Sequence, residues 1–425
     1  MRPPASTTAR DVVVIGAGPA GSVAGAYLAR AGFQPLVLEK DHFPRFAVGE
    51  SLLPYGNDIL KELGVWPALE AGGFVKKYGA DFCTGQNERL NRYWFRQALG
   101  REHEYTFQVE RARFDQILLD QAVADGCEAV HGAKVRSVRR TQADRMVVDY
   151  DDAQGPHCVE ARWVVDASGR TGIAGTHLGI PKLPTRDQKM VAVYSHFRGV
   201  VRNSGEAAGH TVIVRFKEGW FWLIPVSEAT TSVGVVVTPG LLREQGGDLE
   251  TVFRHCVATN PDVARRLAGA EAVMPLRATA DYSWRFKSLA EGRVLLTGDA
   301  AGFVDPIFSS GVMLAMKSGR LAARTIQRRD ALPGALTPRE CRIYTREIAG
   351  WMRLYTRLIQ SFYDQAGFEI FMHPVAFLSI PRSIGRIVGG DMEMPFSQQW
   401  RIAAFGAICS LQRFLKIAPA IPSLR

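Results

Sequence analysis

What this sequence has little of narrows the reading first. No uncharged run reaches the ~18 residues that a membrane-spanning helix needs. Cysteine is sparse and scattered: Cys83, Cys127, Cys158, Cys256, Cys341 and Cys409, with no C-x-x-C pair. That spacing speaks against both a metal site and a disulfide framework, and it suits a reduced, cytoplasmic setting. The opening MRPPASTTAR has no apolar stretch of the kind a secretory signal carries. Internal repeats and low-complexity segments are absent as well. Acidic residues are outnumbered, 42 against 52 basic ones, for a net charge of +10 and a pI near 9.4. The most basic stretch, 134–145, contains Arg136, Arg139 and Arg140 but no interleaved aromatic residue. It reads as a solvated face, suited to an acidic protein partner before a nucleic acid.

What is present is a globular composition, 47% apolar and 22% charged over 425 residues, enough for two or three interleaved parts. The chain is organised around 11–39, DVVVIGAGPAGSVAGAYLARAGFQPLVLE. A β-branched run, Val12 to Ile15, suits a buried parallel strand. Gly16, Gly18 and Gly21 follow at G-x-G-x-x-G spacing, then a small-residue helix from Ser22 to Ala31. A second strand from Pro35 ends at Glu39. Glycines there permit a tight turn and close approach of backbone to a pyrophosphate, and the helix N-terminus offers N–H groups to the phosphates. Glu39 stands where a ribose hydroxyl is bound. The order strand, glycines, helix, strand, acid predicts dinucleotide binding.

Further along, Gly49-Glu50-Ser51 forms a turn-rich loop before a helix over 55–63. Arg45 suits either a cofactor's charge or a solvated loop. In 73–82, GFVKKYGADF, a strand would send Lys76 and Lys77 to opposite sides, one of them able to face a cavity. Arg111 sits where a strand meets a helix carrying Phe114, Ile117 and Leu118 on one face. Buried strands end at Asp166 and again before Gly298-Asp299. Between them, 187–239 reads as an antiparallel sheet. The late return of a buried strand implies a discontinuous first domain, 10–78, 106–182 and 285–330. A β-sheet substrate domain, 79–105 and 183–284, would be inserted in it, and 331–425 would be a helical C-terminal region. In that last part Trp351, Leu354, Tyr355, Leu358 and Phe362 form an amphipathic stripe. The fold class is therefore α/β, a Rossmann-like nucleotide domain with an inserted sheet and a helical cap.

GAGPAG, GESLLP, Arg111 before Phe114-Asp115, DASGR and GDA at 298–300 together resemble the FAD-dependent monooxygenase superfamily over about 10–330. Two more stretches narrow the resemblance. WFWLIP at 220–225 is similar to the W-x-W-x-I-P signature of flavin-dependent halogenases, and FVDPIFSSG at 303–311 to their F-x-x-P-x-x-S-x-G. With the lysine of K-Y-G-A, the chain resembles the subgroup acting on phenols and pyrroles, enzymes of secondary-metabolite and antibiotic biosynthesis.

The resemblance implies FAD, used as FADH2, held by Gly16, Gly18, Gly21, Glu39, Arg45, Glu50, Ser51, Arg111 and Asp299. It implies chloride or bromide beside Ser310 and Gly311, where the residues alone would also suit a helix N-cap. Trp220 and Trp222, two apart on a strand, would share one face and wall the flavin off from the substrate. As residues alone they suit a packed core better. The catalytic lysine falls on Lys77, with Lys76 as the fallback, directing hypohalous acid onto an electron-rich ring. The glutamate of the tryptophan-acting relatives is replaced by Phe308, which points away from tryptophan. No second nucleotide motif is present for NAD(P)H, so a separate flavin reductase is expected. An aromatic substrate, free or on a carrier protein, is expected too; nucleic acid and metal are not, and membrane association is disfavoured. The same fold also serves aromatic hydroxylases and membrane-surface prenyl reductases, which are the alternatives.

Overall fold

The structure is a computed structural model describing residues 8–86, 89–184, 189–281, 283–373, 379–393 and 396–424. Its first layer is built on the strand Thr8–Ile15, which pairs in parallel with Gly155–Asp166 on one side and Pro35–Glu39 on the other. Val294–Leu296 extends the sheet in parallel beyond Asp166, and Glu128–His131 extends it beyond Glu39. Val12, Val13 and Val14 are fully buried, as β-branched residues are in a parallel sheet covered on both faces. One cover is the helix Pro19–Arg30, packed on the helix Gly311–Asp330. The two approach so closely that a Cβ on Gly319 would lie 2.4 Å from the Ala20 carbonyl oxygen. The basic stretch forms the hairpin strand Lys134–Arg140, solvated as expected, with Arg136 and Arg139 paired to Asp151 and Asp149 at 2.7 and 3.6 Å.

The second layer is a mostly antiparallel sheet in which Met190–Arg198, Thr230–Val237, Gly219–Pro225 and Thr211–Phe216 are successive neighbours. Gly79–Thr84 joins it in parallel, and Leu90–Trp94 forms the edge. The strand period of two divides its side chains cleanly. Trp220, Trp222 and Ile224 belong to the main core, whereas Phe221 and Leu223 form a second core with Val252 and Phe253.

The long helix Pro338–Tyr363 begins with a capping box of Thr337 and Glu340. It buries Trp351, Tyr355, Leu358 and Phe362, the expected stripe, while Leu354 is half-buried. The helices Gln365–Met372, Ile380–Val388 and Phe396–Leu415 follow. Phe362 of the long helix and Phe371 of Gln365–Met372 meet Phe82 of the sheet and Phe308 with ring centroids 4.9–6.2 Å apart. Among the described residues no helix is long and apolar enough to cross a membrane.

Candidate functional site

The glycine loop has the geometry of a phosphate cradle. Gly16 has φ +97°, and a Cβ there would come within 2.5 Å of the Ala167 carbonyl oxygen, so only glycine fits. A Cβ on Gly21 would strike the Gly16 carbonyl, so this glycine sets how tightly helix and loop meet. The helix starts at Pro19 with no side-chain cap and no acidic residue in its first turn, leaving N–H groups and positive potential for an anion. Arg45 reaches over this loop; a Cβ on Gly18 would be 3.5 Å from its Nη2. Glu39, at the end of its strand, accepts from the Ala17 and Asp41 N–H groups at 2.8 and 3.0 Å.

Across the sheet, Asp299 follows Val294–Leu296 at the mouth of a crevice lined by Gly298, Gly302, Gly311, Leu314 and Met352. Its half-buried carboxyl is raised to about 6 by desolvation, against the pull of Arg170 and Arg111. An open helix N-terminus, an arginine over the loop and an acid at the second strand's end fit FAD.

The strand Val75–Lys77 pairs with Thr106–Gln108, and its alternation separates the two lysines. Lys76 is exposed, with Nζ 4.5 Å from the Tyr105 ring centre. Lys77 is 1% exposed and donates to Ser51 Oγ at 2.8 Å and the Leu52 carbonyl at 3.0 Å. Ser51 in turn shares a 2.8 Å hydrogen bond with Thr211, which also accepts from Gln108 Nε2 at 2.9 Å. Among the described residues no carboxylate pairs with Lys77. Burial alone lowers its pKa to about 7, so the neutral amine is well populated near neutral pH. Gln108 Oε1 is a buried acceptor without a donor in the same cluster.

Trp220 and Trp222 lie side by side on one face, ring centroids 6.0 Å apart, both buried. Trp222 Nε1 donates to Ser232 at 3.1 Å, and its ring covers Gly234, where any Cβ would clash. The 303–311 loop turns through Pro306–Phe308, with Asp305 as its cap, and through Ser309 at φ +56°. Ser310 takes the N-cap position of Gly311–Asp330, but its hydroxyl caps nothing. It is buried and without a partner, so the helix-cap alternative does not describe it. Gly311 is exposed, with open space where a Cβ would stand. A bare helix start with an unsatisfied hydroxyl suits a small anion.

Four expected cofactor residues have their side chains engaged by other protein groups, Arg45 among them, with Nη1 3.3 Å from Asp115 Oδ2. Arg111 makes a two-point ion pair with Asp115 at 2.8 and 2.9 Å and holds the Val48 carbonyl at 2.7 Å, so it fixes the loop rather than reaching out from it. Glu50 is hydrogen-bonded to His196 at 2.6 Å. Ser51 serves Lys77. Gln108, Thr211 and His196 carry no motif in the sequence and come into view only in the fold.

Three comparisons bear on this geometry. The family model described as FAD binding domain matches residues 9–327. The chain is 35% identical over 339 residues to a 1H-pyrrole-2-carbonyl-[peptidyl-carrier protein] chlorinase of Pseudomonas fluorescens, covering 74% of this chain and 75% of that protein. It is 32% identical over 374 residues to a tryptophan 2-halogenase of Chondromyces crocatus, covering 86% and 69%. Among solved structures, a flavin-dependent brominase superposes with a TM-score of 0.86 at 28% identity, over 96% of this chain and 100% of that one.

Proposed function

The chain belongs to the flavin-dependent halogenases, and we propose that it halogenates a pyrrole or phenol under the direction of Lys77. Bound reduced FAD, delivered by a separate reductase, supplies the chemistry that activates O2 and oxidises the halide. The residues that would hold it are the Gly16–Gly21 loop, Arg45, Glu39 and Asp299. The uncapped start of Gly311–Asp330 and the Ser310 hydroxyl would seat the halide. Trp220 and Trp222 would keep the ring away from the flavin. Lys77 would receive hypohalous acid as a hydrogen-bonded partner, or as the neutral amine, and aim it at the ring. Gln108 Oε1 offers the substrate's N–H or O–H an acceptor. Electron-rich rings need little further base, in keeping with Phe308 where other relatives place a glutamate. The division into a discontinuous FAD domain, an inserted sheet and a helical region follows the same reading.

The observation that carries the proposal is Lys77: a buried amine with no carboxylate partner, titrating near 7, inside a halogenase framework. For the substrate's form, the relatives named as acting on carrier-bound pyrroles favour a tethered ring. So does the outer face of Pro338–Tyr363, where Arg342, Arg346, Arg353 and Arg357 are all exposed, which complements an acidic carrier protein. None of the six cysteines forms a disulfide, in keeping with a reducing cytoplasm.

The test is Lys77→Ala, assayed with reduced FAD and chloride on carrier-bound pyrrole, free phenols and tryptophan. Flavin oxidation should persist while halogenated product falls by about 100-fold or more. Unchanged halogenation would remove Lys77 from the mechanism; an oxygenated, halogen-free product from the wild type would replace it with hydroxylation.

A further inference from the structure

Tyr363 is the last residue of the long helix and lies outside the 9–327 family match. Its phenol joins two signature stretches that are far apart in sequence. Trp220 Nε1 donates to Tyr363 Oη at 2.7 Å, and Tyr363 Oη donates to Asp305 Oδ2 at 2.9 Å. The direction of this chain is fixed. An indole can only donate, so the phenol oxygen accepts from Trp220 and its own hydrogen is left for the Asp305 oxygen. Asp305 Oδ1 accepts from the Ile307 N–H at 3.2 Å and so holds the turn leading to Ser310 and Gly311. Trp220 and Asp305 are 1% and 2% exposed, so neither exchanges this bonding for water at low cost.

The backbone of Tyr363 is gripped as well. Its carbonyl accepts from Arg215 Nη2 at 2.8 Å, and Arg215 sits directly across the strand pair from Trp220. That guanidinium lies 4.4 Å from the Phe368 ring centre. Next to Tyr363, Phe362 contacts Phe308 of the loop, edge to face, with centroids 6.1 Å apart. The helix end therefore touches the tryptophan strand and the 305–311 loop by independent contacts.

We propose that Tyr363 is a positioning residue for halogenation, holding the Trp220 ring and the 305–311 anion seat in one fixed register. This rests on the reading of Ser310 and Gly311 as the halide seat. It gives the C-terminal helices a part in the reaction: they set how far the seat and the wall stand from each other.

The experiment is Tyr363→Phe in the full-length holoenzyme. Loss of both hydrogen bonds of the Tyr363 hydroxyl frees the seat from the wall and predicts a KM for chloride about tenfold higher, with kcat changed less than about twofold. A larger share of flavin electrons should end as hydrogen peroxide, since a loosely held halide competes less well for the oxidant. Without any turnover, chloride binding measured by chlorine-35 line broadening should weaken by the same factor, while FAD affinity stays near wild type. If Tyr363→Phe fails to fold, Trp220→Phe interrupts the chain at its other end and should weaken chloride binding, measured without turnover, by the same factor. Unchanged chloride affinity, or a fall in kcat alone, overturns the proposal. A wild type that shows no saturable chloride binding overturns the halide seat itself, a result distinct from a failure of Tyr363.

Discussion

At the scale of single residues, two desolvated titratable groups pull the stability of the protein in opposite directions with pH. Lys77 titrates near 7 in the fold against an ordinary value of 10.5. Between those values the unfolded chain holds a proton that the folded chain lacks, so this lysine makes stability rise with pH across the window. Lys77→Met should abolish that rise and be most stabilising at and below about pH 7, read as Tm against pH. Parallel curves for variant and wild type would mean that the amine is not desolvated. Asp299 titrates near 6 against 3.8, so the folded state holds the extra proton and its contribution is lost as pH rises through 6. Asp299→Asn should therefore raise the Tm of the flavin-free protein above about pH 6 while weakening FAD binding. A variant with FAD affinity equal to wild type would remove Asp299 from the cofactor site.

Between elements, Pro19–Arg30 and Gly311–Asp330 cross at close range, and Gly319 makes this possible. These two helices begin at the proposed pyrophosphate and halide seats, so their separation sets the separation of the seats. In an open helix, glycine to alanine gains up to about 1 kcal/mol from backbone entropy. At Gly319 the new methyl would meet backbone, and overpacking of that kind costs about 1–3 kcal/mol. The clash prevails: Gly319→Ala should lower Tm and loosen FAD. Gly350→Ala, where the nearest atom is the Arg353 guanidinium at 3.8 Å, should raise Tm slightly. Denaturation of the pair checks both signs. The element pattern was legible because period and composition agree locally. Buried parallel strands are runs of valine, and the period of two separates Lys76 from Lys77 and aligns Trp220 with Trp222. Ser310 was less legible, because a serine before a helix is ordinarily its cap, and only the coordinates show that its hydroxyl caps nothing.

For the molecule as a whole, charge is distributed with a purpose that the net value of +10 conceals. The basic hairpin neutralises itself through Asp149 and Asp151, whereas the outer arginines of Pro338–Tyr363 stand exposed. If an acidic carrier docks there, kcat/KM for the tethered ring falls steeply with added salt, and for a free phenol it barely moves. Replacing Arg342, Arg346, Arg353 and Arg357 by Glu should reproduce the high-salt behaviour at low salt. Equal salt dependence for both substrates would place the carrier elsewhere.

The sequence by itself determined the glycine cradle, the strand that carries Lys77, the paired tryptophans and the family, because each is written in residues only a few positions apart. The tertiary structure alone decided what those residues touch. Ser51 meets Thr211 across 160 positions and Trp220 meets Tyr363 across 143. Burial of Lys77, which shifts its proton affinity, likewise depends on the layers folding over it. Periodicity and spacing record local conformation, whereas desolvation and hydrogen-bond partners depend on which distant segments close around a group.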